Sequence, residues 1–265
     1  MSEVSEDSHF LHVTEVAGEP ISGEQLERLE HRYAWAAEHC ADRDVLEVAC
    51  GTGPGLGVLL SRARSVQAGD VSPPILEIAR RHYGSRVALS RIDAHALPCA
   101  DASKDVILLF EALYYLADPN AFFRECRRVL RPDGRVLIAT ANKDLSDFSP
   151  SPHSHRYFGA GELAHALESN GFSPTMFGHL SVRDVTLRQK VLRPIKRIVV
   201  GLGLMPRTMR GKRLLKRLVF GKPVVMPREI APEVRLSVPP TPIACDRPDF
   251  EHKVIYAVGT MRNSR

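Results

Sequence analysis

Three carboxylates stand at intervals in the first part of the chain, each beside an apolar segment. Glu47 interrupts the apolar run Asp44–Cys50, and Asp70 and Asp93 each close a later run. A carboxylate at the end of a strand accepts both hydroxyl groups of a ribose, and it attracts a cation most strongly where water is partly excluded. The three acids therefore indicate a site for a polar, partly cationic ligand, provided that one edge of a sheet brings them together.

A glycine-rich turn follows the first of these runs. Gly51, Gly53 and Gly57 fit the spacing G-x-G-x-x-x-G, whereas the dinucleotide fingerprint G-x-G-x-x-G fails because Leu56 stands at its last position. Glu47 would repel a pyrophosphate and suits a sulfonium or an ammonium group. These features favour an adenosine-bearing cation, and an NADP-dependent reductase stays open on the glycines alone.

Strand and helix patterns alternate around these residues. Apolar runs predict strands at Asp44–Cys50, Ser65–Asp70, Val87–Asp93, Lys104–Phe110, Arg135–Thr140, Pro174–Leu180 and His252–Gly259. Helical periodicity predicts helices at Gly23–Cys40, from Gly55–Arg62, and at Pro73–Tyr83, Asn120–Leu130 and Ala160–Asn170, with a turn at Arg131–Gly134. We expect an α/β fold with a doubly wound, mostly parallel seven-stranded sheet, an antiparallel C-terminal strand and a basic helical insertion.

The basic insertion departs from this alternation. Residues 188–228 contain 13 Lys or Arg and no Asp or Glu, so with a net charge of +5 the rest of the chain carries −8. Apolar stripes predict two basic amphipathic helices there. The predicted organisation is a tail over 1–22, a cofactor-binding core over 23–183, the basic insertion with a proline-rich loop over 184–248, and a final strand over 249–265. The insertion is open to three interpretations: a cap on the core, a peripheral contact with an anionic membrane, or a clamp on a phosphorylated acceptor.

Composition bears on the location of the protein. No run of about 18 apolar residues predicts a membrane-spanning helix, and the acidic start lacks the basic and apolar regions of a signal peptide. The five cysteines are scattered without a C-x-x-C pair, which is typical of free thiols in a reducing compartment. We expect a cytoplasmic protein that is peripheral to the membrane if its basic segment binds lipid.

Together the motifs resemble those of class I S-adenosylmethionine (SAM) dependent methyltransferases. The segments that carry the resemblance are VLEVACGTG at 45–53, DVS at 70–72, DAHALP at 93–98, DVILLF at 105–110 and FFRECRRVLRPDGRVL at 122–137. They spread over roughly residues 30 to 180, and Ala49 replaces the family's usual first glycine. The resemblance implies that SAM is held through its methionine part by Glu47, Ala49, Cys50, Gly51 and Gly53, through its ribose by Asp70, and through its adenine by Val71, Asp93 and Ala94, with Phe110 near the reacting methyl group. Taken singly, Asp70 and Asp93 fit a turn or helix cap equally well.

Candidate catalytic residues follow the fourth and fifth strands. Glu111, His153 and His155 are candidate bases, and Tyr115 is a candidate for positioning the acceptor. An exposed histidine pair is the alternative for the two histidines. Because no carboxylate pair stands next to them in sequence, we expect no metal.

The acceptor is the least constrained part of the prediction. The chain lacks the N/D-P-P-Y/F element of amino-directed nucleic-acid methyltransferases, and its basic segment has only Phe220 as an aromatic residue, which argues against a nucleic-acid acceptor. We predict SAM-dependent O-methylation of a small-molecule, sugar or lipid-linked acceptor. A non-catalytic SAM- or RNA-binding module is the alternative. His31 and Tyr33 lie on the first predicted helix. Either they reach the site from above, or His31 is solvated and Tyr33 packs in the core.

Overall fold

A computed structural model describes residues 16–151, 153–183 and 223–262. Its helices are α1 (Gly23–Cys40), α2 (Leu56–Leu60), α3 (Pro73–Tyr83), α4 (Pro119–Val129) and α5 (Ala160–Ser169), with short 3₁₀ turns at Gly84–Arg86 and Leu113–Tyr115. Its strands are β1 (Pro20–Ile21), β2 (Asp44–Val48), β3 (Ser65–Asp70), β4 (Ala88–Arg91), β5 (Lys104–Phe110), β6 (Leu130–Ala141), β7 (Phe172–Ser181), β8 (Val224–Val225), β9 (Thr241–Ile243) and β10 (His252–Met261).

Eight of these strands form one sheet in the order β4-β3-β2-β5-β6-β10-β7-β9. The first five pair in parallel, and β10 runs antiparallel to both of its neighbours. The expected doubly wound sheet with an antiparallel C-terminal strand is confirmed, but the count of seven strands was wrong. The missed strand is β9, three residues at the edge of the sheet that include Pro242. Edge strands tolerate proline, and the density of prolines concealed this strand in the sequence.

Both faces of the sheet are covered by helices. Successive residues of a strand point to opposite faces, so one strand contributes to an apolar cluster on each side. On β2, Val45 belongs to the apolar cluster that includes Leu29 of α1, whereas Leu46 belongs to the cluster that includes Phe122 of α4. The strand order reverses between β2 and β5. Doubly wound folds bind ligands at the carboxyl ends of the two strands beside such a reversal, so the candidate site lies there.

The starts of α1 and α3 differ in their capping. The Ser22 side chain accepts from the Gln25 amide at 3.2 Å, and the Gln25 side chain accepts from the Ser22 amide at 2.9 Å. This capping box fixes the first turn of α1. Ser72 occupies the N-cap position of α3 as expected, but its side chain makes no capping hydrogen bond.

Two further boundaries differ from expectation. The predicted turn at Arg131–Gly134 lies inside β6, where the register against β5 shifts and Asp133 has φ 62°. The residues that are typical of a turn thus form a bulge within a continuous strand. The third predicted strand, β4, ends at Arg91, so Asp93 follows the strand instead of closing it.

The return segment, residues 223–243, runs back over the start of the sheet. Its β8 pairs with β1 in a separate two-stranded sheet. Glu229 bonds the guanidinium group of Arg86 at 2.9 and 2.7 Å and the His82 ring at 2.7 Å, and the Ile230 amide donates to the Pro54 carbonyl at 2.7 Å. The return segment is therefore held against the helices that follow the glycine turn.

The basic helices predicted between 184 and 222 lie outside the described residues. Across the parts of the chain that the structure does describe, no helix combines the length and the apolar character that crossing a bilayer requires. The cysteines in those parts carry free thiols, and Cys40, Cys50 and Cys126 are buried.

Candidate active site

Glu47 is a buried acid with one oxygen that accepts a hydrogen bond and a second, equally buried oxygen that has no partner among the described residues. The Tyr33 hydroxyl donates to its Oε1 at 2.5 Å, while Oε2 has no hydrogen-bond partner among the described residues. Burial raises the pKa of Glu47 to about 7, against the lowering influence of Tyr33 and Arg32. A buried carboxylate oxygen without a partner is costly unless a ligand donor meets it, and an ammonium group supplies such a donor together with a compensating charge.

The glycine turn bends through left-handed backbone conformations. Ala49, Gly51 and Gly53 have φ values of 56°, 59° and 79°. A Cβ atom at Gly53 would lie 2.7 Å from a Leu56 methyl carbon and 3.0 Å from the Tyr83 ring. The turn therefore requires glycine at 53, and Ala49 occupies a conformation that glycine adopts more readily.

Asp70 ties the glycine turn to the end of β3. Its Oδ2 accepts from the Gly51 amide at 3.0 Å and its Oδ1 from the Ser72 amide at 2.9 Å. Burial raises the pKa of Asp70, and these backbone hydrogen bonds oppose the increase. Each oxygen accepts one bond here and retains a second lone pair for a ligand hydroxyl. Val71 beside it is 37% exposed, which leaves an apolar surface open next to the carboxylate.

Asp93 lies at the rim of this region. Its Oδ1 accepts from the His95 amide at 2.9 Å and contacts the His95 ring at 2.7 Å, and these contacts lower the pKa of Asp93. The carboxylate thus caps the turn that follows β4, as the alternative interpretation expected, and the Asp93 side chain is 60% exposed. Ala94 is buried. Their role at an adenine edge stays a prediction.

Phe110 closes β5 beneath α1. Its ring meets Tyr33 edge-on at 5.5 Å between centroids and lies 6.3 Å from Trp35. The Arg32 guanidinium carbon lies 5.7 Å from the Phe110 centroid and 5.6 Å from that of Tyr33, within range of cation–π attraction. Tyr33 therefore both packs in the core and reaches the site through Glu47.

Glu111 turns its carboxylate toward α1. It has φ 51°, a strained conformation for a residue with a side chain. Its Oε1 accepts from Arg28 at 3.0 Å and lies 3.8 Å from Arg32, and Oε2 accepts from the Tyr114 hydroxyl at 3.3 Å. The two arginines were not among the predicted site residues. Their signal in the sequence is the spacing of four, which places them on one face of a helix.

The remaining candidate catalytic residues surround an aromatic cluster. The Tyr114 ring stacks on Tyr157 at 4.3 Å and meets Tyr115 edge-on at 4.6 Å. Burial raises the pKa of Tyr115. The His155 amide donates to the Tyr114 carbonyl at 2.8 Å, so the loop after β6 docks beside Glu111. The side chains of His153 and His155 are exposed, and their proposed role as bases stays a prediction.

His31 is buried, so the interpretation that it is solvated was wrong. Its Nε2–H donates to the Val238 carbonyl at 2.8 Å, and its Nδ1 therefore accepts from the Tyr256 hydroxyl at 3.0 Å. Its ring stacks on His179 at 3.5 Å between centroids. Burial lowers the pKa of His31 and lowers that of His179 to about 3. The stack therefore joins α1 to β7 through two uncharged rings.

The sequence of this chain is similar to those of known proteins. A family model described as a methyltransferase domain matches residues 46–138. The malonyl-[acyl-carrier protein] O-methyltransferase of Hahella chejuensis is 30% identical over 217 residues, which cover 75% of this chain and 76% of the relative. The chain belongs to the class I SAM-dependent methyltransferases.

Other matches to this methyltransferase are shorter or concern the fold alone. A probable SAM-dependent methyltransferase of Mycolicibacterium smegmatis is 38% identical over 151 residues, covering 55% of this chain and 58% of the relative, so the match spans little more than half of that relative's length. The solved YcgJ protein of Bacillus subtilis superposes with a TM-score of 0.55 at 18% identity, covering 88% of this chain and 99% of that one. It shares the fold.

The residues of this methyltransferase fit SAM, which is the cofactor of its family. SAM brings a methyl group activated by a sulfonium, an ammonium group, a ribose and an adenine. The buried Oε2 of Glu47, which has no partner among the described residues, suits the ammonium group. The remaining lone pairs of Asp70 suit the ribose hydroxyls, and Val71 suits the adenine. All three residues lie at the carboxyl ends of β2 and β3.

Proposed function

We propose that this methyltransferase transfers the methyl group of SAM to an oxygen atom of a small-molecule acceptor bound beside Phe110 and Glu111. The observation that carries the proposal is Glu47, a buried carboxylate that accepts from Tyr33 through one oxygen and whose second, buried oxygen has no partner among the described residues. A pyrophosphate-binding turn would place this charge against another anion. The site thus favours SAM over a nicotinamide dinucleotide.

The enclosure of Phe110 supports a transfer reaction. Arg32, Tyr33 and Trp35 of α1 pack over the Phe110 ring, which is only 6% exposed to solvent. Transfer by in-line displacement depends on alignment and on exclusion of water. The residues that would meet the acceptor lie just outward, at Glu111, Tyr115 and the loop of His153 and His155.

Transfer to oxygen is supported by a relative. The Hahella chejuensis protein is named as an O-methyltransferase, and its match extends over three quarters of this chain. Sugar and lipid-linked acceptors, and a membrane contact through residues 188–228, stay predictions from the sequence, as does a cytoplasmic location.

Calorimetric titration of SAM, its demethylated product and NADPH into the purified protein tests the proposal. We expect SAM and the product to bind, and Asp70→Ala to weaken both by about tenfold or more, because hydrogen bonds to a charged group contribute roughly 1.5–3 kcal/mol. The matched control is Asp101→Ala, which removes an exposed carboxylate paired with Arg128, and its affinities should equal those of the unaltered protein.

Two results would contradict the proposal. Binding of NADPH without binding of SAM would indicate that the glycine turn holds a nicotinamide cofactor, as in an NADP-dependent reductase. Equal SAM affinity in Asp70→Ala and in the unaltered protein would show that the ribose is held elsewhere. Because Asp70 also holds the Gly51 and Ser72 amides, thermal unfolding of each variant establishes that it is folded at the titration temperature.

A further inference from the structure

We propose that Tyr33 is a positioning residue for the cofactor, because its hydroxyl holds one oxygen of Glu47 and leaves the second oxygen for the ammonium group of SAM. This inference rests on the part of the proposed function that assigns the ammonium group to Glu47, and it does not depend on the acceptor. It comes from the way in which α1 packs against the glycine turn and the end of β5.

The ring of Tyr33 is packed on two sides. A Cβ atom at Gly55 would lie 2.2 Å from atoms of this ring, so the ring rests directly on the backbone at the start of α2. The ring also meets Phe110 edge-on at 5.5 Å between centroids, and Tyr33 is only 3% exposed. A buried ring that is packed in this way keeps its hydroxyl in one place.

The hydroxyl of Tyr33 has one defined acceptor. It donates to Oε1 of Glu47 at 2.5 Å, and no other described residue donates a hydrogen bond to the Glu47 side chain. Hydrogen bonds to a carboxylate are among the stronger ones in proteins. With Oε1 engaged from the side of α1, Oε2 is the oxygen that still lacks a donor.

The same hydrogen bond favours the charged form of Glu47. Burial raises the pKa of Glu47 to about 7, and the hydrogen bond from Tyr33 and the nearby charge of Arg32 oppose this increase. An ammonium group binds the ionised carboxylate more strongly than the protonated acid. Tyr33 therefore acts on the orientation of Glu47 and on its charge.

Other ionisable groups also face Glu47. Arg32 of α1 lowers the pKa of Glu47, and Asp70 at the end of β3 raises it. The remaining groups, which stay uncharged near pH 7 because burial raises their own pKa values, are Cys40, Cys50 and Tyr83. Removal of the Tyr33 hydroxyl alters none of them, so a change in a pH profile reports on Glu47.

Calorimetric titration of SAM into Tyr33→Phe tests the inference, because this variant keeps the ring and removes only the hydroxyl. We expect the affinity for SAM at pH 7 to fall by about tenfold or more, since the lost hydrogen bond is to a charged group. Tyr256→Phe is the matched control. It removes another buried hydroxyl, which donates to His31 on the same helix, and it should leave the affinity for SAM unchanged.

The pH dependence of binding separates positioning of Glu47 from a general loss of structure. The affinity for SAM should fall as pH decreases through the pKa of Glu47, because the carboxylate must be ionised to pair with the ammonium group. Without the Tyr33 hydroxyl this pKa is higher, so the acidic limb of the profile should move to higher pH by about 0.5–1 pH unit. The alkaline limb, set by the ammonium group of SAM with a pKa of about 7.7–8.0, should stay in place. An acidic limb that does not move would overturn the inference.

Chemical denaturation without cofactor gives an independent readout. The free energy of unfolding of the unaltered protein should fall with rising pH until about pH 7, where Glu47 is ionised in the fold. In Tyr33→Phe this decrease should continue to a higher pH, whereas identical profiles would contradict the action of Tyr33 on Glu47. The same curves establish that the variant is folded under the conditions of the titration.

A double variant distinguishes positioning through Glu47 from direct contact with the cofactor. In a Glu47→Gln background the charge of the carboxylate is absent, so removal of the Tyr33 hydroxyl should weaken SAM binding several-fold less than it does in the unaltered protein. An equal loss in both backgrounds would show that Tyr33 contacts the cofactor itself, and would overturn its assignment as a positioning residue.

The single variants separate this inference from the proposed function. If Glu47→Gln weakens SAM binding and Tyr33→Phe does not, the role of Tyr33 is wrong while the ammonium site at Glu47 remains. If Glu47→Gln binds SAM as tightly as the unaltered protein, the ammonium site is wrong, and the role of Tyr33 is wrong with it.

Discussion

Ala49 stands where the family usually carries glycine, and the structure gives the physical reason for that preference. Its φ of 56° lies in the left-handed region, which costs a residue with a Cβ atom about 1–2 kcal/mol. This conformation carries the backbone from Glu47 on β2 to the Gly51 amide, which donates to Asp70 at 3.0 Å. Alanine at this position therefore lowers the stability of the protein relative to glycine, while the path of the backbone stays the same.

Replacing Ala49 by glycine should therefore stabilise the protein. We expect Ala49→Gly to raise the free energy of unfolding by about 1 kcal/mol and the melting temperature by about 2–4 °C, measured by thermal denaturation. Ala68→Gly is the matched control, because Ala68 is fully buried in the interior of β3 and glycine there is destabilising. A loss of stability in Ala49→Gly equal to that of the control would contradict the strain.

Glu47 makes the stability of the ligand-free protein depend on pH. Its pKa is raised to about 7 in the fold by burial, above the ordinary value of 4.5, so the folded state binds its proton more tightly than the unfolded chain does. The free energy of unfolding should therefore fall as pH rises from about 4.5 to about 7, by roughly 3 kcal/mol from this group.

Glu47→Gln should remove that dependence. We expect the variant to be more stable than the unaltered protein at pH 8 and to lose this advantage at pH 4.5, measured by chemical denaturation, while its SAM affinity falls because the charge for the ammonium group is gone. Glu77→Gln changes a half-exposed glutamate on α3 and serves as the control. Parallel stability curves for Glu47→Gln and the unaltered protein would contradict the raised pKa.

At the scale of elements, the sequence patterns predict most strands of the sheet but miss the edge strand β9 and the bulge in β6. The predictions for β3 and β5 match the structure residue for residue. In β5 the apolar run from Val106 to Phe110 marks the strand, and the acidic Glu111 follows its end. The eighth strand, β9, is short and contains a proline, so no run marks it. The residues of the predicted turn at 131–134 remain in β6 because pairing with β5 resumes on the far side of the bulge.

Glu229 provides ion pairs that help to hold the return segment against the core. Glu229 is 16% exposed and joins Arg86 and His82, and these bonds cross from residues 223–243 to α3 and the turn after it. We expect Glu229→Gln to lower the melting temperature by about 2–4 °C, equivalent to about 1 kcal/mol, and to speed proteolysis within the return segment. Glu233→Gln, at an exposed position of the same segment, should change neither. Equal proteolysis of the two variants would contradict this attachment.

At the scale of the whole molecule, the two halves of the site differ in how far the sequence reveals them. Glu47, the glycine turn and Asp70 lie within one β-α-β unit, so local motifs identify them. The acceptor side is assembled across long separations: Arg28 meets Glu111 83 residues away, and His31 meets Tyr256 225 residues away. The contact of His31 with Tyr256 depends on the position of β10 between β6 and β7, which no local pattern specifies.

The packing of α1 over Phe110 also makes the site optically distinct. Trp35 is the single tryptophan of the chain, it is 2% exposed, and its ring stacks on Tyr256 at 4.7 Å. Emission excited at the red edge of the spectrum therefore originates from one place, a few ångströms from the ring expected beneath the methyl donor. Stopped-flow fluorescence of the unlabelled protein gives a direct record of how fast ligands enter and leave.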